Sequence, residues 1–202
     1  MARPREFDEN EVLDKAMDLF WQKGYEATSI QELLNAMGIS RGSLYDAFGD
    51  KHALFLAVLE RYQQRSHARF LQTLSQPGSV KAAITELFNY VVAEAVADAK
   101  RRGCLLTNST VELSPHDTAV ADVINWNCRW VQDALYEALR RGQTQGEIAP
   151  DADIEALAQF LFNSLQGLRV VSKTNTDRQA LENIVKITVS VLGWDIPSPV
   201  LP

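Results

Sequence analysis

The chain of 202 residues carries little cysteine, little histidine and no surplus of positive charge. Its two cysteines, Cys104 and Cys128, exclude a disulfide framework, and in a reducing compartment both are expected as thiols. The three histidines, His52, His67 and His116, are scattered, and neither cysteine has a Cys or His at ligand spacing, so no metal site is expected and nothing motivates copper or zinc sensing. No glycine-rich phosphate loop and no paired-carboxylate motif is present. An enzyme built on Cys104 as nucleophile and His116 as base can be written down, but nothing in the sequence brings the two together, and neither catalytic residues nor a cofactor are expected. No apolar run is long enough to cross a bilayer, and the start, MARPREFDENEV, lacks the apolar core of a secretory leader, so the expectation is a cytoplasmic protein. Charge is the last shortage. The net charge is −6, and residues 1–51 hold six basic side chains against ten acidic ones, a balance of −4. Bulk charge thus argues against nucleic acid, and any DNA binding has to come from locally placed groups.

What is present is helical periodicity almost throughout, with no alternating strand pattern, no internal repeat and no low-complexity tract. Asp8 is placed to cap a first helix, with Glu11 completing a capping box and Phe7 stapling onto Val12. Val12, Ala16, Leu19 and Phe20 form its stripe, and Gly24 ends it. "ATSIQELLNAMG" predicts a second helix with a Thr-Ser cap, Glu32 in the first turn, apolar Ile30, Leu33, Leu34 and Met37, and a stop at Gly38. Ser40 caps a third helix of about two turns, with Leu44 and Phe48 facing inward. Asp50 opens a long fourth helix to about Leu74, and "SQPGS" at 75–79 is a turn. Further stripes follow at Val80, Ile84, Leu87, Phe88, Val91 and Ala95, and at Val120, Ile124, Val131, Leu135 and Leu139. Between them lies "CLLTNSTVEL", bounded by Gly103 and by Ser114-Pro115. Asp151 or Asp153 opens a helix through about Val171, Thr176 opens the last through about Leu192, and the tail "WDIPSPVLP" is expected to be irregular. The fold expected is all-α, with an N-terminal three-helix helix-turn-helix domain over 1–50, a C-terminal helical bundle over 51–202, and helix 50–74 connecting them.

The stretch "GISRGSLYDAF", residues 38–48, needs a reason to exist, because so short a helix is not stable by itself. Two short helices joined by a turn of about three residues make a helix-turn-helix, whose second helix enters the major groove. Leu44 and Phe48 then hold the helix to its core and leave Arg41, Gly42, Ser43 and Tyr45 on the DNA side. Gly42 lowers helix propensity by about 1 kcal/mol relative to Ala, a cost that makes sense where backbone approaches a groove. Arg41 is suited to guanine, Ser43 to either donor or acceptor, and Tyr45 to a phosphate. Thr28 and Ser29 at the second helix's N-terminus, and Lys51 opening the fourth, are placed for phosphates. The competing reading is a tight helical corner with no DNA function.

"A…LF…GYEATSIQELLNAMGISRGSLYDAFGDKHAL" resembles the N-terminal domain of the TetR family of transcriptional regulators over roughly residues 8–60. The Gly-Tyr before the Thr-Ser, the Gly-Ile-Ser turn, the Leu-Tyr-x-x-Phe and the following Lys fall in register. The resemblance implies a homodimeric one-component regulator that binds a palindromic operator in double-stranded DNA and a small-molecule inducer in its C-terminal domain. Carried over, the DNA contacts fall on Thr28, Ser29, Arg41, Gly42, Ser43, Tyr45 and Lys51. One departure is Ala47, where many members have a His that contacts phosphate; its loss either weakens affinity or shifts weight to Arg3 and Arg5, which are read equally as a DNA-following arm or a solvated tail.

The last two helices, 153–171 and 176–192, carry more apolar surface than one buried stripe needs: Phe160 with Phe162, and Ile187 with Val189 opposite Ile184 and Val185. They are expected to bury a second face against a partner copy, and in the family such a pairing makes a four-helix bundle; a central helix of a monomer is the alternative. In "KRRGCLLTNSTVEL", Cys104 is read at a helix start beside Arg101 and Arg102, and both features lower a thiol pKa. It is a candidate redox or electrophile sensor, and the stretch resembles a family subgroup with Gly-Cys-Leu here, some of whose members respond to electrophiles and oxidants. The alternative is a small buried hydrophobe. Cys128 is read as structural, and Trp126 and Trp130 at i, i+4 either line an effector pocket or form core. The reading is a homodimeric regulator, most often a repressor, released from DNA when its C-terminal domain is occupied or modified. The alternative is a helical ligand-binding or interaction module without specific DNA binding.

Overall fold

The computed structural model describes residues 7–193, so Arg3, Arg5 and the tail from Trp194 lie outside the described residues. Among those described, the elements are α1 (Glu9–Lys23), α2 (Ile30–Met37), α3 (Arg41–Phe48), α4 (Lys51–Leu74), α5 (Val80–Ala97), α6 (Leu105–Glu112), α7 (Thr118–Thr144), α8 (Ile154–Val171) and α9 (Arg178–Ser190), with a 3-10 turn at Val191–Gly193 and no strand. The expected all-α class is what is found. Two compact units divide the chain: one takes the residues up to Arg65 together with Cys104–Asn125, the other Ser66–Gly103 and the residues from Trp126 onward.

In the first unit α1 starts at Asp8, whose carboxylate accepts the Asn10 N–H at 2.8 Å. Glu11 does not reach back to that cap; it pairs with Lys15 one turn on, at 2.7 Å. The buried face of α1 is wider than the predicted stripe, with Val12, Leu13, Ala16, Met17 and Phe20 inside and Leu19 only half-buried. Ser29 and Glu32 close a capping box on α2, which buries Leu33, Leu34 and Met37. Gly38 stops α2 in the left-handed region at φ 72°, a conformation that costs Gly nothing, and Ser40 caps α3 three residues after Met37. Leu44 is the one residue α3 buries, at 0% exposure. Phe55 of α4 meets Phe20 edge-to-face at 4.9 Å. Asp14 fastens α1 to α4: it accepts from Arg61 Nε at 2.6 Å and a second Arg61 nitrogen at 2.9 Å, and from Arg65 at 2.7 Å. Gln63 donates to the Val123 carbonyl at 3.0 Å, which brings the start of α7 into the same unit.

The second unit has its own core, centred on Ile84, Phe88, Leu135, Leu139, Leu161 and Leu181, each at 1% exposure or less. Its α5 begins where Glu147 accepts from Ser79 Oγ and from the Val80 and Lys81 N–H groups, filling the helix N-terminus with a carboxylate from 66–68 residues away. Asp153 caps α8. The last helix opens at Asp177, which accepts the Gln179 N–H, rather than at Thr176; a carboxylate outcompetes a threonine hydroxyl for that cap. While α8 and α9 bury Leu161, Leu165, Leu181 and Val185, they leave Phe160, Val170, Ile184 and Ile187 exposed. No helix among the described residues is long and apolar enough to cross a membrane.

Candidate nucleic-acid interface

An eight-residue helix contributes almost nothing to its own stability, so α3 is held by Leu44 and presented by what surrounds it. Arg41, Gly42 and Tyr45 are exposed, Tyr45 at 44%, and Ser43 is half-buried. Ser43 donates its N–H to Ser40 Oγ at 3.1 Å, and the two hydroxyls lie 2.9 Å apart, so the α3 N-terminus is closed by its own cap. Ser29 is exposed, and its hydroxyl and N–H both meet the Glu32 carboxylate, at 2.8 and 2.9 Å. Lys23 pairs with the same carboxylate and, with the Ser29 bonds, holds the Glu32 pKa well below the usual range.

Thr28 is the exception among the predicted contacts. It is fully buried, its hydroxyl donates to the Gly24 carbonyl at 2.6 Å, and its N–H donates to the Tyr25 carbonyl at 3.2 Å. Both donors are spent inside the α1–α2 loop, so Thr28 is withdrawn from the surface and builds the loop instead.

Lys51 does not extend freely from the start of α4. Its ammonium sits 4.2 Å from the centroid of the Tyr25 ring, a cation–π contact. That ring packs against Phe55 at 4.9 Å, Phe20 at 6.0 Å and, edge-on, His52 at 6.2 Å. Burial foremost raises the Tyr25 pKa above the ordinary phenol value. The Tyr25 and Glu26 N–H groups donate to the two carboxylate oxygens of Glu112, at 3.2 and 2.9 Å. A side chain at position 24 would meet that carboxylate at 2.8 Å, and Gly24 has φ 84°, so glycine is required there twice over. Nearby, His52 Nε2 lies 2.8 Å from Asp117 Oδ2, and Asp117 Oδ1 accepts the Val120 N–H at the start of α7. That backbone bond, with His52, lowers the Asp117 pKa despite desolvation. Sequence reasoning missed Glu112 and Asp117 because nothing local marks a contact spanning 87 residues; the Gly-Tyr pair was visible, its partner was not.

Cys104 is the N-cap of α6, as predicted, but its side chain is 2% exposed. The Tyr62 hydroxyl donates toward its sulfur at 3.6 Å, and the Tyr62 ring meets Trp21 edge-on at 5.1 Å. Neither cysteine is in a disulfide. Trp126 and Trp130 belong to the other unit. Trp130 stacks on His67 at 3.6 Å and packs against the core, while Trp126 is 49% exposed. His67 bonds Asn127 at 2.8 Å, and burial lowers its pKa. The His67 ring lies 5.5 Å from the Trp126 ring as well. The groove described in this unit, of about 760 Å³, opens between α5 and α9 and is lined by neither tryptophan. No group of three or more His, Cys, Asp or Glu able to hold a metal ion occurs among the described residues.

Comparison with known proteins places this geometry. Residues 12–58 match the family described as bacterial regulatory proteins, tetR family, and residues 80–188 match the tetracyclin repressor-like C-terminal domain. The HTH-type transcriptional regulator YezE of Bacillus subtilis is 39% identical over 95% of this chain and 100% of its own. The HTH-type transcriptional repressor ComR of Escherichia coli is 34% identical, covering 93% and 90%. Among solved structures, a cysteine mutant of the TetR family transcriptional regulator CifR, complexed with 26 bp double-strand operator DNA, superposes with a TM-score of 0.86 at 34% identity, over 95% of this chain and 100% of that one.

Proposed function

The chain belongs to the tetR family of bacterial regulatory proteins, and from that premise we propose that it is a homodimeric DNA-binding repressor, released from a palindromic operator by a small-molecule, electrophile or oxidant signal. As a family member it is a transcriptional regulator and not an enzyme. In this reading residues 1–50 bind DNA, residues 51–202 bind the effector and dimerise, and helix 50–74 links the two tasks. Such a regulator works in the cytoplasm, where its operator is.

One observation carries the DNA assignment: two short helices, buried through Leu33, Leu34, Met37 and Leu44, expose Ser29, Arg41, Gly42 and Tyr45. Arg41 offers a planar fork to guanine O6 and N7, Ser43 adapts to donor or acceptor, and Gly42 lets backbone approach the groove. Ser29, Tyr45 and Lys51 take phosphates, and Thr28 makes no direct contact. The apolar outer faces of α8 and α9, with Phe160, Val170, Ile184 and Ile187, pair two copies and so present two α3 helices to the two half-sites. The signal acts by favouring a conformation in which those helices no longer match the half-sites, since only differential affinity shifts a population. Cys104, with the Tyr62 hydroxyl on its sulfur, is the covalent sensor in this reading; the half-exposed Trp126, beside the Trp130–His67 stack, is the contact surface for a noncovalent effector.

Tyr45→Ala and Lys51→Ala test it. Each is expected to weaken binding of a fluorescent operator duplex about tenfold with the dimer intact, and Lys51→Ala to lower the salt slope by about 1. Wild-type affinity in both variants overturns the placement.

A further inference from the structure

We propose that Glu112, the last residue of α6, is a positioning residue for operator recognition: its carboxylate sets the pose of loop 24–29 and, through the Tyr25 ring, of the Lys51 ammonium. The assignment rests on the reading of α2 and α3 as the operator surface, and it adds to that surface a residue that touches no DNA.

The contact is two-pronged. One carboxylate oxygen takes the Tyr25 N–H and the other the Glu26 N–H, so two consecutive peptide groups are fixed in direction as well as in place. From there the loop is closed by Thr28, whose hydroxyl and N–H return to the Gly24 and Tyr25 carbonyls; the next residue is Ser29, the N-cap of α2. The pose of the phosphate-facing α2 terminus thus follows from where Glu112 holds residues 25 and 26. The same backbone carries the Tyr25 ring, over which Lys51 is centred at 4.2 Å. A lysine has rotatable bonds enough to sample many positions, and a ring beneath its ammonium removes most of them before DNA arrives. Glu112 therefore stands behind two of the phosphate contacts.

The rival account is that Glu112 is an acid that merely caps spare N–H groups. The two accounts differ in sign. This unit is already short of positive charge, so neutralising an acid that does nothing else removes repulsion toward DNA and tightens binding. Neutralising a positioning acid weakens it. The location also gives the signal a path: α6 runs from its N-cap, Cys104, to this clamp, eight residues and about 12 Å later, a single rigid span. A displacement of its first turn is a displacement of Glu112.

The experiment uses full-length protein and a fluorescent duplex enriched by the wild-type protein from a randomised pool. Glu112→Gln places an amide where the second acceptor stood, and Glu112→Asp keeps the charge but is one methylene too short to reach both N–H groups. Each is expected to bind roughly tenfold more weakly, with the slope of log affinity against log salt lowered by about 1 as Lys51 loses its phosphate. Glu26→Gln, the same charge change on an exposed side chain of the same loop, is expected to bind as tightly as wild type or tighter. Circular dichroism melting confirms the fold, and if Glu112→Gln does not fold, Glu112→Asp carries the test. Wild-type or tighter binding by the folded Glu112 variants, or weaker binding with an unchanged salt slope, overturns the positioning role while leaving the operator reading standing. Failure of the wild-type protein to enrich any duplex overturns both.

Discussion

Replacing Leu44 with Ala is expected to weaken operator binding 10-fold to 100-fold while the second unit stays folded. Leu44 is the one buried side chain of α3 and has no exposed surface, so its removal strips the helix of its anchor. Truncating a buried leucine costs about 2–5 kcal/mol, part transfer and part cavity. That figure decides the outcome because α3 has nothing to fall back on: eight residues are below the length at which a helix holds itself in water. Each 1.4 kcal/mol by which the undocked state gains on the docked one, once they are level, raises the apparent dissociation constant about tenfold, since only docked α3 binds. A loss of 10-fold to 100-fold in operator affinity is the expectation. The second unit draws on none of the residues around Leu44, so sedimentation should still show the dimer. Hydrogen exchange should show faster exchange in α3 and unchanged protection in α5 and α8. Operator affinity within twofold of wild type, or loss of protection spread equally over both units, would refute the reasoning.

Three further outcomes follow from contacts described above. The Asp14 carboxyl is held below the usual carboxylate range first by Arg61 and then by Arg65, against desolvation; a depressed folded pKa contributes stability present above about pH 4 and lost as pH falls below it. Asp14→Asn should therefore lower the melting temperature at neutral pH, by a modest amount for a side chain 37% exposed, with the gap to wild type closing as pH drops toward 3; a gap that persists at low pH counts against the pairing. Ile187→Glu puts a charge on a residue 68% exposed in one protomer, so it should spare the monomer fold and dissociate the dimer by light scattering; an intact dimer would move the interface elsewhere. N-ethylmaleimide should release wild-type protein from operator but not Cys104→Ser, and slowly, because the thiol is 2% exposed; equal release of both would make Cys104 structural.

What was legible in the sequence was whatever is decided within a few residues. The caps at Asp8, Ser29 and Ser40, the stop at Gly38 and the inward Leu44 are local choices, and the structure has all of them. Where two neighbours compete for one task, spacing alone left the winner undecided: Asp177 took the cap read at Thr176, and of Thr28 and Ser29 only the second faces out. The α1 stripe was drawn too narrow: Leu13 and Met17 are buried as well, which a single apolar stripe did not include. Long-range polar contacts were invisible. Glu112 looks like an ordinary acidic residue near a helix end until residues 25 and 26 are found beside it. The indoles at 126 and 130 share a helix face as their spacing says, yet the imidazole stacked on Trp130 comes from residue 67 of another helix.

The first unit is assembled from two stretches of chain, one ending at Arg65 and one running Cys104–Asn125, with 38 residues of the second unit encoded between them. A unit built this way is not a bead on a string. A chimera that takes only the first sixty residues carries α2, α3 and Lys51 but leaves behind Glu112, which the Tyr25 and Glu26 N–H groups use, and Asp117, which His52 uses. Its loop amides would lose their carboxylate, and the Tyr25 ring beneath Lys51 would lose the backbone hold that sets it. With the operator surface proposed above, exchange of specificity between relatives is expected to work best by repainting the exposed face of α3, residue by residue, because the supports of this unit are inherited with the rest of the chain.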